Sequence, residues 1–155
     1  MSSLNLAMLK FAKVDPSIET EIPKVETEDS AGMDIRFNPK DGKAITIKAG
    51  EHQLCGTNLK MAIPVGNVGL LFPRSGMSTK RNLGLKNFVG VIDSDYRGEL
   101  KVALWNTGSE DQVIEPGERI AQLIIMPYTS CITCEVEELD MTERGEGGFG
   151  STGTK

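Results

Sequence analysis

With 155 residues, a net charge of −5, 39% hydrophobic residues and 25% charged residues, the chain has the composition of one globular domain. An aromatic content of 5% and the lack of any long lysine or arginine run disfavour stable nucleic-acid binding, and no stretch approaches the roughly 18 apolar residues of a membrane span. The N-terminus has no signal-peptide pattern and the 3 cysteines do not suggest a disulfide framework, so we expect a reducing intracellular compartment, the cytoplasm or the nucleus.

Short strand-like segments recur along the chain every 8 to 12 residues or so, with turn residues between them. The predicted strands span residues 7–14, a short segment that ends at residue 37, and then 44–48, 51–55, 59–63, 68–72, 100–106, 112–114, 120–126 and 131–139. The segment 75–82 interrupts this rhythm and predicts one or two helical turns. Such a succession of short strands favours an all-β sandwich or barrel.

Residues 88–104 predict a β-hairpin whose tip carries several chemical groups. Apolar residues lead into and away from this tip, which contains Asp93, Asp95, Tyr96 and Arg97. A charged tip with a surface ion pair is a common structural feature, whereas a carboxylate directed at a water beside an aromatic ring is typical of a hydrolytic site. Because residues three apart on a strand face opposite sides, Asp93 and Tyr96 converge on one ligand only if a turn lies between them.

Three other segments carry polar groups that either serve the fold or bind an anionic ligand. Arg74 precedes the predicted helix, where a cap at Ser75 or Gly76 would leave free amides for an anion; a capped short helix is the alternative. Gln122 lies in an apolar strand, either as a satisfied core amide or as a functional group. The glycine-rich end around Phe149 is either a mobile tail or a cover that folds over a ligand.

The cysteines and the histidine offer few sites for metal or nucleophilic chemistry. Cys131 and Cys134 form a CxxC, but in the predicted strand their odd separation places them on opposite faces, which disfavours a redox or zinc pair. With His52 as the one histidine of the chain, a Ser–His–Asp triad and a multi-histidine metal site are also disfavoured. The chemistry therefore depends on carboxylates, arginines, hydroxyls and backbone amides.

Five segments, in this order, resemble the five motifs of the trimeric dUTPase (deoxyuridine triphosphate pyrophosphatase) family. They read Ala-Gly-Met-Asp-Ile (31–35), Pro-Arg-Ser-Gly-Met (73–77), Gly-Val-Ile-Asp-Ser-Asp-Tyr-Arg-Gly (90–98), Pro-Gly-Glu-Arg-Ile-Ala-Gln-Leu (116–123) and Arg-Gly-Glu-Gly-Gly-Phe-Gly-Ser-Thr-Gly (144–153). The resemblance implies a distorted jelly-roll-like β-barrel with one short helix over residues 1–139. It also implies a flexible glycine-rich arm over residues 140–155 that closes over an active site, and a homotrimer with three active sites at subunit boundaries.

The resemblance further implies Mg²⁺-assisted hydrolysis of dUTP to dUMP and pyrophosphate, by in-line attack of water on the α-phosphate. Such a reaction lowers dUTP and supplies dUMP for thymidylate synthesis. By the same resemblance, Asp93 orients and deprotonates the water, Tyr96 lies under the deoxyribose and blocks a 2′-hydroxyl, and Asp34 lies near the Mg²⁺ and its waters. The substrate phosphates otherwise hold the metal, since Mg²⁺ retains several waters and needs few protein ligands.

The other site residues implied by the resemblance fall into three groups according to what they contact. The uracil-reading groups are Asn87, the backbone of Gly90, Val91 and Ile92, and Lys101. The phosphate contacts are Arg74, Ser75, Gly76 and Gln122. The arm supplies Phe149 over the uracil, and Arg144, Gly150, Ser151 and Thr152 at the γ-phosphate.

Two positions depart from the family's commonest pattern. Met33 stands where an aromatic residue is frequent, and Ser78 follows Met77 where Ala after Leu is frequent. Neither position bears a chemical group of the motifs, so the departures concern local packing and closure. Two alternative functions stay open: a dCTP deaminase-like enzyme of the same fold, and a non-catalytic trimer that binds nucleotide or a protein partner as a regulator. The hairpin and the complete arm favour the hydrolase.

Overall fold

The computed structural model describes residues 8–148, which form short strands and one helix of 7 residues. The elements in chain order are β1 (Lys10–Lys13), β2 (Met33–Arg36), β3 (Ile45–Ile47), β4 (His52–Gly56), β5 (Leu59–Ala62), β6 (Asn67–Phe72), α1 (Ser75–Arg81), β7 (Leu83–Leu85), β8 (Gly90–Ile92), β9 (Lys101–Asn106), β10 (Gln112–Ile114) and β11 (Arg119–Pro127). The predicted all-β class with one short helix is confirmed.

The strands form four sheets, and every strand pair within them is antiparallel. The largest sheet has the order β2-β11-β6-β8, the second has the order β4-β9-β7, and β1-β5 and β10-β3 form two-stranded sheets. Across residues 8–148 these sheets stay open, so the jelly-roll-like arrangement does not close into a complete barrel. No helix in these residues is long and apolar enough to cross a membrane.

One hydrophobic core joins the two larger sheets. Leu71 and Leu123 of the first sheet belong to the same buried cluster as Val102 and Leu104 of the second. Strand β9 alternates between exposed and buried positions because one of its faces covers this core. Strand β11 is more continuously apolar because it is the central strand between β2 and β6.

The predicted hairpin at residues 88–104 is wrong in its strand pairing. Strand β8 pairs with β6, with Val91 opposite Leu70, whereas β9 pairs with β4 and β7. The segment between them therefore crosses from one sheet to the other. The backbone N–H of Leu100 donates to the carbonyl of Leu59 at 2.7 Å, which directs the chain toward the β4–β5 turn and away from β8.

Two further strand predictions differ from the structure. The three-residue strand β7 was not predicted; it begins after Asn82, whose left-handed φ of 53° ends α1. The predicted strand at 131–139 is wrong within this chain, where these residues are irregular and exposed. Ile132 is 99% exposed and Leu139 is 84% exposed. The alternating pattern is present, but a strand also needs a partner to receive its backbone hydrogen bonds.

Candidate active site

The first candidate group is an ion cluster at one end of the largest sheet. Asp34 of β2 and Phe72 of β6 both lie opposite Gln122 of β11, and Arg74 follows Phe72 after one proline. The side chain of Asp34 is only 15% exposed, and its Oδ1 lies 2.7 Å from the Nε of Arg74. Its Oδ2 accepts a hydrogen bond of 3.0 Å from Nη1 of Arg119. One carboxylate therefore orients two guanidinium groups.

Backbone carbonyls complete this cluster. Nη1 of Arg74 donates to the carbonyl of Arg119 at 3.3 Å, so Arg119 holds Arg74 through its backbone as well as through Asp34. The side-chain Nε2 of Gln122 donates to the carbonyl of Pro73 at 3.0 Å and ties the end of β6 to β11. Gln122 is therefore a satisfied amide in this state. Arg119 was not predicted as a site residue, although the Pro-Gly-Glu-Arg motif contains it.

The helix α1 begins next to this cluster. Its N-cap is Arg74, with φ −89° and ψ 140°, and no side chain caps the helix, so the prediction of a cap at Ser75 or Gly76 is wrong. Both of these residues are exposed, and a Cβ added at Gly76 would meet nothing within 4 Å. Met77 anchors the helix in the core. Ser75 and Gly76, two of the predicted phosphate contacts, thus lie open to solvent beside Arg74.

The second candidate group lines a cavity of about 300 Å³ at the other end of β6 and β8. Its lining residues are Leu54, Val91, Ile92, Asp93, Tyr96, Glu99, Leu100 and Lys101. The backbone N–H of Tyr96 donates to the carbonyl of Asp93 at 3.2 Å, and this turn brings both side chains to the same cavity. The convergence of Asp93 and Tyr96 therefore depends on a turn, as their spacing requires.

The cavity has one open acid and one aromatic ring held by a single hydrogen bond. The carboxylate of Asp93 is exposed and forms no ion pair or hydrogen bond with the other residues between 8 and 148. The hydroxyl of Tyr96 donates to the carbonyl of Glu99 at 3.1 Å, and the residue stays 45% exposed. Nζ of Lys101 lies 3.7 Å from the carboxylate of Glu99 at the cavity wall. Asp93 is therefore free to bind water beside the ring.

Asn87 lies close to the start of β8 but does not line this cavity. Its Nδ2 is 3.6 Å from the position that a Cβ on Gly90 would take, and that Cβ would also lie 3.0 Å from the Cβ of Leu71. A side chain at position 90 would therefore crowd the pairing of β8 with β6. Phe88, with a left-handed φ of 59°, sets the path of the chain between Asn87 and Gly90.

Asp93 also borders a second cavity, of about 570 Å³, on the side of β6. This cavity is lined by Asn67, Val68, Val91, Asp93, Ser94, Asp95 and Tyr128. Val68 is thus a neighbour of Asp93, as the β6–β8 register also indicates. This position fixes where the acid lies along β6.

The two candidate groups are separated within one chain. Asp93 lies beside Val68 near the first residue of β6, whereas Arg74 follows the last residue, Phe72. At about 3.3 Å per strand residue, Val68 and Phe72 alone are about 13 Å apart. The base and the phosphate-binding guanidinium therefore belong to separate groups within one chain. Within a single chain, the residues of each candidate group lie together, but the two groups lie apart.

The arm is only partly described. Arg144 is exposed, and its Nε donates to the carbonyl of Gly147 at 2.8 Å. The predicted arm contacts Phe149, Gly150, Ser151 and Thr152 lie outside the described residues.

The donor set of the described residues provides no protein cage for a metal ion, and its buried thiol is unreactive. Within residues 8–148 no group of three His, Cys, Asp or Glu side chains could hold a metal ion. Both oxygens of Asp34 already face guanidinium groups, which would repel a directly bound cation. Burial raises the pKa of the Cys55 thiol to about 12, so this thiol is no nucleophile near neutral pH. Cys131 and Cys134 are free and exposed.

Comparison with known proteins identifies the family and agrees with the fold. The dUTPase family model matches residues 19–153. The deoxyuridine 5'-triphosphate nucleotidohydrolase of Fusobacterium nucleatum is 51% identical over 86% of this chain and 90% of its own length, and that of Rickettsia akari is 44% identical over 97% and 99%. A mutant dUTPase of Staphylococcus bacteriophage 80alpha, solved with dUpNHpp, superposes with a TM-score of 0.84 at 28% identity over 96% of this chain and 100% of that one. The chain therefore belongs to the dUTPase family.

Proposed function

We propose that this protein is a dUTP diphosphatase that hydrolyses dUTP to dUMP and pyrophosphate. The observation that carries the proposal is the turn at residues 93–96, which directs one unpaired carboxylate and one aromatic ring into the same cavity. Family membership supports the same substrate and reaction, since the relatives at 44% and 51% identity are named for them. The reaction removes dUTP and supplies dUMP for thymidylate synthesis.

Asp93 acts as the general base in this proposal. Its carboxylate is exposed and unpaired among the described residues, so it can accept a proton from a water held at the cavity mouth. The water attacks the α-phosphorus in line, and pyrophosphate leaves. Because phosphoryl transfer needs positioning and charge neutralisation more than covalent help, one base and a set of cationic contacts suffice.

Base and sugar recognition take place along β8 and the following turn. The backbone of Gly90, Val91 and Ile92, with Lys101 and Asn87, reads the uracil edge by hydrogen bonds. A narrow cavity rejects the thymine methyl group by clash and the cytosine amine by mismatched hydrogen bonding. Tyr96 lies under the deoxyribose, and its ring leaves no space for a 2′-hydroxyl.

Arg74 is the central phosphate contact, and Ser75, Gly76 and Gln122 accompany it. Asp34 and the carbonyl of Arg119 hold the Arg74 guanidinium in one orientation, which lowers the entropy lost when it binds phosphate. Gln122 would exchange its bond to Pro73 for a phosphate oxygen. Arg144, Gly150, Ser151 and Thr152 of the arm close on the γ-phosphate, while Phe149 covers the uracil.

Mg²⁺ fits this site as a partner of the substrate and not as a resident of a protein cage. The donor set near the phosphates consists of guanidinium groups and of one carboxylate that they already engage. We therefore propose that the triphosphate holds the metal, with Asp34 interacting only through water. When bound, Mg²⁺ neutralises charge on the phosphate oxygens.

We further propose that the active protein is a homotrimer whose sites lie between subunits. The separation of Arg74 from Asp93 supports this, because a second copy can bring its own Arg74 to the cavity that holds Asp93. The irregular segment at 128–148 exposes Ile132, Leu139 and Met141, which another copy can cover. The arm at 140–155 would then close over a site on a neighbouring subunit.

The three free cysteines support a reducing intracellular compartment.

The test is pyrophosphate release from dUTP, dCTP, dTTP and UTP, each with and without Mg²⁺. We expect release from dUTP alone, lost when the metal is chelated. The D93N variant should bind nucleotide nearly as well as wild type and lose turnover by orders of magnitude. If dUTP gives no pyrophosphate while dCTP gives ammonia, the protein is a deaminase and the proposal fails.

A further inference from the structure

The ring of Tyr96 occupies the space in which a side chain at position 98 would lie. A Cβ built on Gly98 would be 2.5 Å from Cζ of Tyr96 and 2.9 Å from Cε2, and nearer still to the hydroxyl oxygen. These separations are far below van der Waals contact, so the ring and a side chain at 98 exclude each other. Gly98 does not have a left-handed φ, so glycine is required here for space and not for backbone conformation.

Hydrogen bonds and burial hold the loop beyond Gly98, so its backbone cannot shift to make room for a side chain at position 98. The Tyr96 hydroxyl donates to the carbonyl of Glu99. The Oε1 of Glu99 in turn accepts a 3.0 Å hydrogen bond from the backbone N–H of Asn58. The next residue, Leu100, is buried and bonded to the β4–β5 region. The side chain of Tyr96, which is about half exposed, is therefore the part that must move if position 98 gains a Cβ.

We infer that Gly98 is a positioning residue that sets the discrimination between dUTP and UTP. Its missing side chain lets the Tyr96 ring lie against the loop at the height where the ring blocks a 2′-hydroxyl. This inference rests on the proposed function, in which Tyr96 lies under the deoxyribose. Gly98 itself touches neither the sugar nor the reacting phosphate; it acts through the ring.

The expected result of G98A is a loss of selectivity without a loss of fold. The added methyl displaces the ring toward solvent, and the ratio of kcat/KM for dUTP to that for UTP falls roughly tenfold to a hundredfold, the range for one steric contact in a binding pocket. The thermal unfolding midpoint should shift no more than in a control variant, because the displaced group is the exposed end of a side chain. The matched control is G84A, since a Cβ at Gly84 meets nothing within 4 Å.

The experiment measures pyrophosphate release from dUTP and UTP by wild type, G98A, G84A, Y96A and the double variant Y96A/G98A. In the proposal, Y96A lowers the dUTP/UTP ratio, G98A lowers it as well, and G98A adds less than a twofold change in the Y96A background. G84A keeps the wild-type ratio. This non-additivity is the signature of a residue that acts through the ring.

The outcomes distinguish the positioning role of Gly98 from the sugar-blocking role of Tyr96. If Y96A lowers the ratio and G98A does not, Gly98 has no positioning role and the proposed role of Tyr96 stands. If Y96A keeps the wild-type ratio, the sugar-blocking role of Tyr96 is wrong and the inference fails with it. If G98A lowers the ratio as strongly in the Y96A background as in wild type, Gly98 acts through the backbone, which also overturns the inference.

Discussion

If the protein is the proposed homotrimer, mixed trimers test whether each active site takes its groups from two copies of the chain. Arg74 and Asp93 lie at opposite ends of β6, and the strand residues between them span about 13 Å. Two inactive variants separate these groups. D93N lacks the general base but keeps the phosphate contact, and R74Q lacks the phosphate contact but keeps the base.

The expected gain follows from the geometry of a closed ring of three copies. If one copy supplies Asp93 and its neighbour supplies Arg74, a random 1:1 mixture of the two variants restores about a quarter of the sites. Two preparations that are inactive alone should therefore give about a quarter of the wild-type rate per site after they are unfolded together and refolded. Pyrophosphate release from dUTP measures the rate, and light scattering confirms the trimer.

A dilution control distinguishes shared sites from poor refolding. Wild type is refolded 1:1 with the double variant D93N/R74Q, which has neither group. Sites that need two copies keep about a quarter of the wild-type rate, whereas sites within one copy keep about half of it. Half activity in this control, together with no rate above the parents in the D93N and R74Q mixture, would refute the shared site.

Three further outcomes are expected. Asp34→Asn removes the carboxylate that orients Arg74, so the KM for dUTP in steady-state assays should rise roughly tenfold with a smaller change in kcat. An unchanged KM would contradict this orienting role of Asp34. In a variant with serine at 131 and 134, Ellman's reagent at pH 8 should leave Cys55 unmodified until denaturant is added, because burial raises its pKa to about 12; rapid reaction of the folded protein would contradict this. Deletion of residues 144–155 should leave the unfolding midpoint and trimer intact but slow turnover, since this end carries no core pattern; dissociation on truncation would show that it serves assembly.

Periodicity in the sequence predicted which residues are buried better than it predicted which strands pair. The alternation along β9 and the apolar run of β11 correspond to their observed positions beside the core and at the centre of a sheet. The same kind of pattern at 88–104 predicted a hairpin, yet β8 and β9 belong to different sheets. A period of two residues identifies the inward face of a strand but carries no information about its neighbour.

The segment 131–139 also shows that periodicity does not predict strand pairing. Its alternating residues predicted a strand, but no strand within residues 8–148 pairs with it. Conversely, β7 is too short for periodicity to reveal, and it forms because β9 presents a partner to Leu83 and Leu85. In both cases the deciding interaction is a backbone ladder with a distant strand, which local sequence does not encode.

The site residues also differ in whether local sequence or strand pairing brings them together. The acid and the ring could be predicted as a pair because a turn between Asp93 and Tyr96 is a local property of four residues. The Asp34 cluster could not, because its members meet only when β2, β11 and β6 lie side by side. Arg119 was missed for that reason, since its contact with Asp34 joins residues 85 apart in the chain.

This cluster also explains how a chain of net charge −5 can bind a triphosphate. Asp34, Arg74 and Arg119 together carry one net positive charge, and the carboxylate of Asp34 pairs with both guanidinium groups. Arg119 balances the charge of Asp34, so the charge of Arg74 remains available to an anion while its orientation is fixed. Overall charge therefore excludes a broad polyanion surface but not a local anion site, because Coulomb interactions are strong only over a few ångströms in salt solution.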